Sequence, residues 1–157
     1  MNLFGLMETS GSAMQAERMR AEVVAANMAN AETTRTQSGG PYRRQHVVFA
    51  ANQGAPGFAD TLNAASGAPS SLLPVGSAQV SPGVHIAAVV EDPAPPLKRY
   101  DPGHPDAGAD GYVAYPDINP LTEMVDLMGA TRAYGLNGSA VQAEKGMIAS
   151  ALEIAKS

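Results

Sequence analysis

Cysteine and tryptophan are both absent from this 157-residue chain, and only 5% of its residues are aromatic. The lack of cysteine excludes disulfide bonds and thiol chemistry. The apolar content comes largely from alanine, which buries little area per residue, so we do not expect a dense, self-sufficient core. The length is that of one ordinary domain, or of a small domain with extended appendages.

Basic residues are scarce as well, with ten Lys and Arg against fifteen Asp and Glu and a net charge of −5. This balance argues against nucleic acid as a partner. No run of about 20 apolar residues would span a membrane. The first eight residues lack the basic start and long apolar run of a secretory signal peptide. We therefore expect the chain to stay in the cytoplasm, or to leave it by a route that does not use such a signal.

Proline is missing from both ends of the chain, because all twelve prolines lie between Pro41 and Pro120. Since proline interrupts helices, the ends can be helical whereas the centre cannot. We predict an N-terminal helix over about 10–30, with a stripe of small residues that suits contact with other helices better than coverage of a sheet. This stripe consists of Ser12, Ala16, Met19, Val23, Ala26 and Asn30.

A second helix is predicted from Pro120 to about Ala155. Proline at the first helical position loses no hydrogen bond, and Asn119 before it is a suitable capping residue. One side of this helix carries an apolar seam, and Glu144 lies off that seam. Four interior glycines each cost about 1 kcal/mol relative to alanine, so contacts outside the helix must stabilise it. The seam has the seven-residue spacing of a coiled coil and contains Leu127, Tyr134, Val141, Ile148 and Ala155.

The centre predicts short strands at 42–50, 84–91, 97–100 and 111–115, which we expect to form one small antiparallel sheet. The second and third of these strands are predicted to pair as a hairpin across a short, proline-rich connection. In residues 51–79, eighteen of twenty-nine are Ala, Gly, Ser or Pro, a composition typical of a flexible loop.

The predicted fold class is therefore α+β, in which long N- and C-terminal helices pair as a coiled coil and enclose a small antiparallel β segment. The corresponding division of the chain is an N-terminal coiled-coil helix and export region, a small β domain with a flexible insert, and a C-terminal coiled-coil helix. Their boundaries are 1–35, 36–116 and 117–157.

Specific segments resemble a known family. Residues 26–34, Ala-Asn-Met-Ala-Asn-Ala-Glu-Thr-Thr, resemble the Asn-Leu-Ala-Asn-x-x-Thr signature of flagellar rod, hook and related axial proteins. Met28 replaces the usual leucine, which conserves volume. Three further segments resemble the proximal-rod members of that family, namely Gly-Gly-Pro-Tyr-Arg-Arg at 39–44, Tyr-Asp-Pro-Gly-His-Pro-Asp-Ala at 100–107 and Gly-Tyr-Val-Ala-Tyr-Pro at 111–116. The resemblance covers nearly the whole chain, apart from residues 51–79.

The resemblance implies a structural subunit of the proximal rod, whose terminal helices form a coiled-coil inner tube and whose β segment forms an outer layer. It implies helical assembly in the periplasm, transmission of torque, and passage through the flagellar type III export apparatus without a cleaved signal peptide. The implied partners are the chain itself, other rod proteins, the membrane-ring base with its adaptor, and that export apparatus. Another axial protein of the same superfamily is the alternative within this class.

We predict that the subunit interface lies along both terminal helices. Tyr134 lies on the seven-residue seam, and Arg132 is close to it, and these residue types are enriched in interface anchors. The predicted interface residues are Met19, Val23, Asn27, Asn30, Leu127, Arg132, Tyr134, Val141 and Ile148.

One cluster, Asp101, His104, Asp106 and Asp110, holds groups that could bind zinc or transfer protons. These groups lie in a segment rich in proline and glycine without the spacing of a metal site, so turn chemistry explains them better. No glycine-rich loop leads from a strand into a helix, which leaves nucleotide binding unsupported. A small periplasmic cell-wall hydrolase is therefore the weaker alternative. We expect no enzyme activity, metal, cofactor, small-molecule substrate or nucleic acid.

Overall fold

A computed structural model describes residues 3–52 and 83–156 of the chain, with side chains from Gly5 onward. Helix α1 spans Leu3–Ala29 and helix α2 spans Pro120–Ile154. The two helices lie antiparallel and pack against each other. The predicted α+β class with paired terminal helices is confirmed. Helix α1 starts earlier than the sequence predicted. Most of the predicted flexible insert, residues 53–79, lies outside the described residues.

Within the described residues, four short strands lie between the helices, as predicted, but their pairing differs from the prediction. They form two separate two-stranded antiparallel sheets instead of one sheet. In the first sheet, which we call the ribbon, Gln45 pairs with Glu91 and Ala51 pairs with Val84. The strands are β1 Gln45–Ala51, β2 Val84–Glu91, β3 Leu97–Tyr100 and β4 Tyr112–Tyr115.

The predicted hairpin between β2 and β3 is wrong. Their connection, 92–96, holds three prolines, which have no N–H to donate to a strand partner. The Asp92 N–H donates to the Arg44 carbonyl at 2.7 Å, and the Asp92 carboxylate accepts from Ala94 N at 2.9 Å. These bonds anchor the connection to the residue before β1, so β2 pairs with β1 and the chain continues to a separate sheet.

The small-residue stripe of α1 covers the ribbon as well as approaching α2. Ala16 and Val23 on this stripe are buried, and the Ser12 hydroxyl accepts a hydrogen bond from Val84 N at 3.1 Å. The predicted contact of α1 with another helix is confirmed, and the same stripe also contacts the ribbon. Small side chains let the ribbon backbone approach α1 closely enough for this bond.

Helix α2 begins as predicted, because Asn119 caps it and its side-chain oxygen accepts from Leu121 N at 3.0 Å. Its buried residues are Glu123, Ala130 and Glu144, which we call the inner stripe. Glu144 lies off the seven-residue seam, as predicted, but it is only 6% exposed, so the buried side of α2 is not the seam itself. Since Ala130 is fully buried, a small residue at the middle of the stripe brings α1 close. The large residues of the predicted seam lie beside it, with Leu127, Val141 and Ile148 half-buried and Tyr134 exposed.

A hydrogen-bonded cluster joins α1, α2 and β1, and we call it the Asn27 hub. The Asn27 side chain is 1% exposed, and its oxygen accepts from Gln45 N at 2.9 Å and from the Tyr42 hydroxyl at 3.1 Å. Its nitrogen donates to the Gln45 carbonyl at 2.9 Å and to Glu123 Oε2 at 3.1 Å. All four hydrogen-bonding positions of the amide are therefore filled.

Glu123 contributes the charge of the hub. Its side chain is 1% exposed, and Oε1 lies 2.5 Å from Arg44 Nη2. A second pair, Arg20 with Asp126 at 2.6 Å, joins the same ends of the two helices. Because a buried carboxylate is stable only when it is paired and hydrogen-bonded, Arg44 and Asn27 fix where α2 lies on α1.

Among the described residues, nothing packs against the interior glycines of α2. A Cβ added at Gly129, Gly135, Gly138 or Gly146 would meet nothing within 4 Å. The expectation that small residues serve close helix approach therefore does not apply to these positions in the isolated subunit. Their effect within the subunit is to lower the stability of the helix.

We expect Gly135→Ala to raise the free energy of unfolding by up to about 1 kcal/mol, because it adds a methyl group in open space to a helix interior. Gly111→Ala is the matched control with the opposite sign. Gly111 has φ +75°, and an added Cβ would lie 2.7 Å from the Tyr100 ring, so this variant should lose stability. Thermal unfolding of both variants checks the pair, and equal effects would contradict the assignment.

We expect Asn27→Ala to lower the free energy of unfolding by about 2–3 kcal/mol, because it leaves the partners of a buried amide unpaired. The control is Asn30→Ala, which removes a local bond from Asn30 Nδ2 to the Ala26 carbonyl at 2.9 Å and should cost about 1 kcal/mol. Urea denaturation followed by circular dichroism measures both. A smaller loss for Asn27→Ala than for Asn30→Ala would show that the hub does not hold the fold.

Candidate subunit interface

Helix α2 exposes a row of large apolar side chains away from its inner stripe. We call this row the outer face, and its members are 52–73% exposed. Scattered apolar residues are normal on protein surfaces, but several large ones on one side of a single helix favour an interaction site. The outer face consists of Leu121, Val125, Met128, Leu136 and Met147.

The outer face follows an eleven-residue spacing, which is visible at Val125, Leu136 and Met147. Eleven residues in three turns correspond to 3.67 residues per turn, close to the period of a straight helix. The seven-residue seam does not include these residues, so they were not among the predicted interface residues. Their spacing was the signal that could have identified them.

One exposed side of α1 is polar by comparison, although Leu6 and Met19 are exposed elsewhere on this helix. Arg18 and Glu22 form an exposed ion pair at 2.9 Å, one turn apart, and Gln15 is exposed on the same side. An i,i+4 pair of this kind contributes only a few tenths of a kcal/mol and is compatible with water. The two helices therefore present different exposed surfaces, one solvated and one apolar.

The structure separates the nine predicted interface residues into two groups. Met19, Arg132 and Tyr134 are exposed and accessible to another molecule. The others are wholly or partly buried within the subunit. This second group comprises Val23, Asn27, Asn30, Leu127, Val141 and Ile148.

The acidic cluster around His104 forms a hydrogen-bonded turn. His104 N donates to the Asp101 carbonyl at 3.2 Å, and Asp106 N donates to His104 Nδ1 at 3.1 Å. The Asp106 carboxylate accepts from the Thr34 hydroxyl at 2.8 Å, which joins this loop to the segment after α1. The groups that suggested chemistry are thus engaged in building the turn. Within 3–52 and 83–156, no three His, Asp or Glu side chains are grouped so that they could hold a metal ion.

Two groups near β1 have altered pKa values. The pKa of the Asp92 carboxyl is lowered, first by the hydrogen bond from Ala94 N and second by the one with His46, whose Nε2 lies 3.2 Å away. The pKa of the Tyr42 phenol is raised, mainly by burial and further by the carboxylates of Glu91 and Glu123. Both shifts follow from hub or ribbon contacts, so they reflect structural interactions. Across the described part of the chain, no helix is long and apolar enough to cross a membrane.

Comparisons with known proteins agree with this arrangement. The family model described as "Flagella basal body rod protein" matches residues 7–36, which include most of α1. The model described as "Flagellar basal body rod FlgEFG protein C-terminal" matches residues 109–154, which include β4 and α2. The two matched segments are the ones that the Asn27 hub joins.

Relatives extend the similarity over the full length. The flagellar basal-body rod protein FlgC of Bacillus subtilis (strain 168) is 40% identical over 160 residues, covering 99% of this chain and 100% of the relative. The proteins of the same description from Borreliella burgdorferi and Salmonella typhimurium (strain LT2) are 36% and 34% identical, each covering 98% of both chains. The chain therefore belongs to the FlgC family of flagellar basal-body rod proteins, and it is a structural subunit of the rod.

Proposed function

We propose that this subunit builds the rod through the outer face of α2, which helices of neighbouring subunits cover. The observation that carries the proposal is the row of large apolar side chains, which are 52–73% exposed in the subunit. Burying such a side chain contributes roughly 1.5–3 kcal/mol, so five of them supply a substantial driving force for association. The subunits would assemble helically, transmit torque and extend the export channel.

Residues exposed beside the outer face complete the proposed interface. Arg132 is exposed on α2, and among the described residues no carboxylate forms an ion pair with it. Tyr134 is 42% exposed, and Met19 offers a flexible apolar side chain on α1. Arginine and tyrosine are common interface anchors, which supports direct contact at these positions. The buried residues of the predicted set act indirectly, because they fix the helix pair that carries the outer face.

The proposed partners are further copies of this chain, other rod proteins, the membrane-ring base with its adaptor, and the flagellar type III export apparatus. Family membership places the subunit in the basal-body rod. Its location in the periplasm and its export without a cleaved signal peptide are parts of the proposal. Their support is the family resemblance of the chain.

The proposal includes no catalysis, cofactor or small-molecule substrate. It is supported by the engagement of His104 and Asp106 in turn hydrogen bonds and by the structural role of the relatives. A cell-wall hydrolase based on this loop has no supporting observation. We further propose that the chain acts as three segments, 1–35, 36–116 and 117–157, in which the terminal segments assemble and the middle one forms an outer layer.

Leu136→Asp tests the outer face. Leu136 is 73% exposed, so the variant should keep the stability of the free chain within about 0.5 kcal/mol. A carboxylate buried in an interface without a partner costs several kcal/mol, and every subunit of the assembly would bear this penalty. We expect a strain carrying the variant to synthesise the protein but to lose swimming and rods, measured in soft agar and by electron microscopy of basal bodies.

The control is Gln142→Asp, which places the same side chain at an exposed polar position of α2 and should leave swimming unchanged. Val141→Asp is less discriminating, because Val141 is half-buried and the variant weakens the subunit itself. Normal swimming of the Leu136→Asp strain would remove the outer face from the interface. Loss of swimming in the Gln142→Asp strain as well would show that any added negative charge on α2 is harmful.

A further inference from the structure

The two ends of the helix pair are held together very differently. Near the strands, the Asn27 hub and the Arg20–Asp126 ion pair join α1 to α2. Glu123, near the start of α2, lies opposite Asn27, near the end of α1. Because the helices are antiparallel, the C-terminal part of α2 lies beside the first turns of α1. At that far end, Glu144 is the buried residue of α2.

Among the described residues, no cationic side chain forms an ion pair with the Glu144 carboxylate in this position. Glu144 is only 6% exposed. Its Oε2 atom is buried and has no hydrogen-bond partner among the described residues. Lys145 is adjacent in sequence but is exposed, and helical neighbours one residue apart do not face each other.

Two buried glutamates on one stripe therefore have opposite energetic consequences. Glu123 accepts from Asn27 and pairs with Arg44, so its burial fixes the helix pair. Glu144 is also buried, but no described cation pairs with it, so its carboxylate is more stable in water than in the buried position. Gly138 and Gly146 lie in the same half of α2 as Glu144, and they weaken the helix there.

We infer that Glu144 is an opening point built into the helix pair, from which the end remote from the strands separates while the Asn27 hub stays closed. Opening exposes the Glu144 carboxylate to water and frees the inner stripe of α2 beyond Ala130. The first turns of α1 lose their contact with α2 at the same time. The subunit thus alternates between a closed pair and a form that is open at one end only. This property belongs to the free chain and is independent of the proposed outer-face interface.

Hydrogen exchange measured by mass spectrometry on the full-length monomer tests this inference. Glu144→Gln keeps the shape and removes the charge, so amides at 5–14 and 140–154 should exchange slower by roughly tenfold or more. Amides of the hub, at 20–27 and 120–127, should change little. Glu144→Leu, which removes the polar group entirely, should slow exchange in the same two segments at least as much.

Glu123→Gln is the matched variant on the same stripe and should act in the opposite direction. It removes the partner of Arg44, so the hub amides should exchange faster by roughly tenfold or more. Glu153→Gln, at an exposed position of α2, should leave both regions unchanged. Unchanged or faster exchange in Glu144→Gln would overturn the inference. Equal slowing by Glu153→Gln would overturn it too, since the effect would then come from net charge and not from burial.

Discussion

The pairing of Asn27 with Glu123 is the interaction on which the rest of the structure depends. The chain has few large apolar residues, so burial of apolar area alone fixes neither the rotation of α2 nor its position along α1. A fully bonded amide and a paired carboxylate do so, because any shift would leave buried polar groups unsatisfied. The same amide bonds Gln45, so the start of β1 and the ribbon are positioned by the residue that orients the helices.

Helix α2 has two separate surfaces with two different periods. The inner stripe consists of Glu123, Ala130 and Glu144, whose positions differ by multiples of seven. It is the buried side of α2. The outer face repeats every eleven residues and is exposed. A helix with apolar residues on two sides has little overall amphipathicity, and it is suited to being surrounded by other helices. This arrangement agrees with the membership of the chain in a family of rod proteins.

Stability is distributed unevenly along the helix pair. Charges are compensated where α1 and α2 meet the strands, and a lone carboxylate is buried at the other end. The glycines of α2 add to this difference. They weaken the helix, and among the described residues no close neighbour requires a glycine at these positions. Protein regions that move during assembly are drawn from the least stable parts of a structure, and here that part is one end of a single helix pair.

The sequence by itself determined the helices, the strands and the family. The proline-free ends, the Asn119-Pro120 start of α2 and the alternation in β2 are local signals, since each depends on the backbone preferences of neighbouring residues. The turn around His104 was predictable for the same reason. Residues 26–34 and 100–107 carried the family resemblance without any reference to contacts.

Only the tertiary structure decided how these elements meet. The pairing of β1 with β2 depends on a bond between Asp92 and Arg44, which are far apart in sequence, and a predicted hairpin of neighbouring strands was wrong. The face of α2 that meets α1 depends on the partners of Glu123, whereas the seven-residue seam indicated the larger apolar residues beside it. The apolar seam therefore did not indicate that Glu144 is buried. Periodicity gives the spacing of a stripe, but which stripe is buried is determined by the groups on the opposite surface.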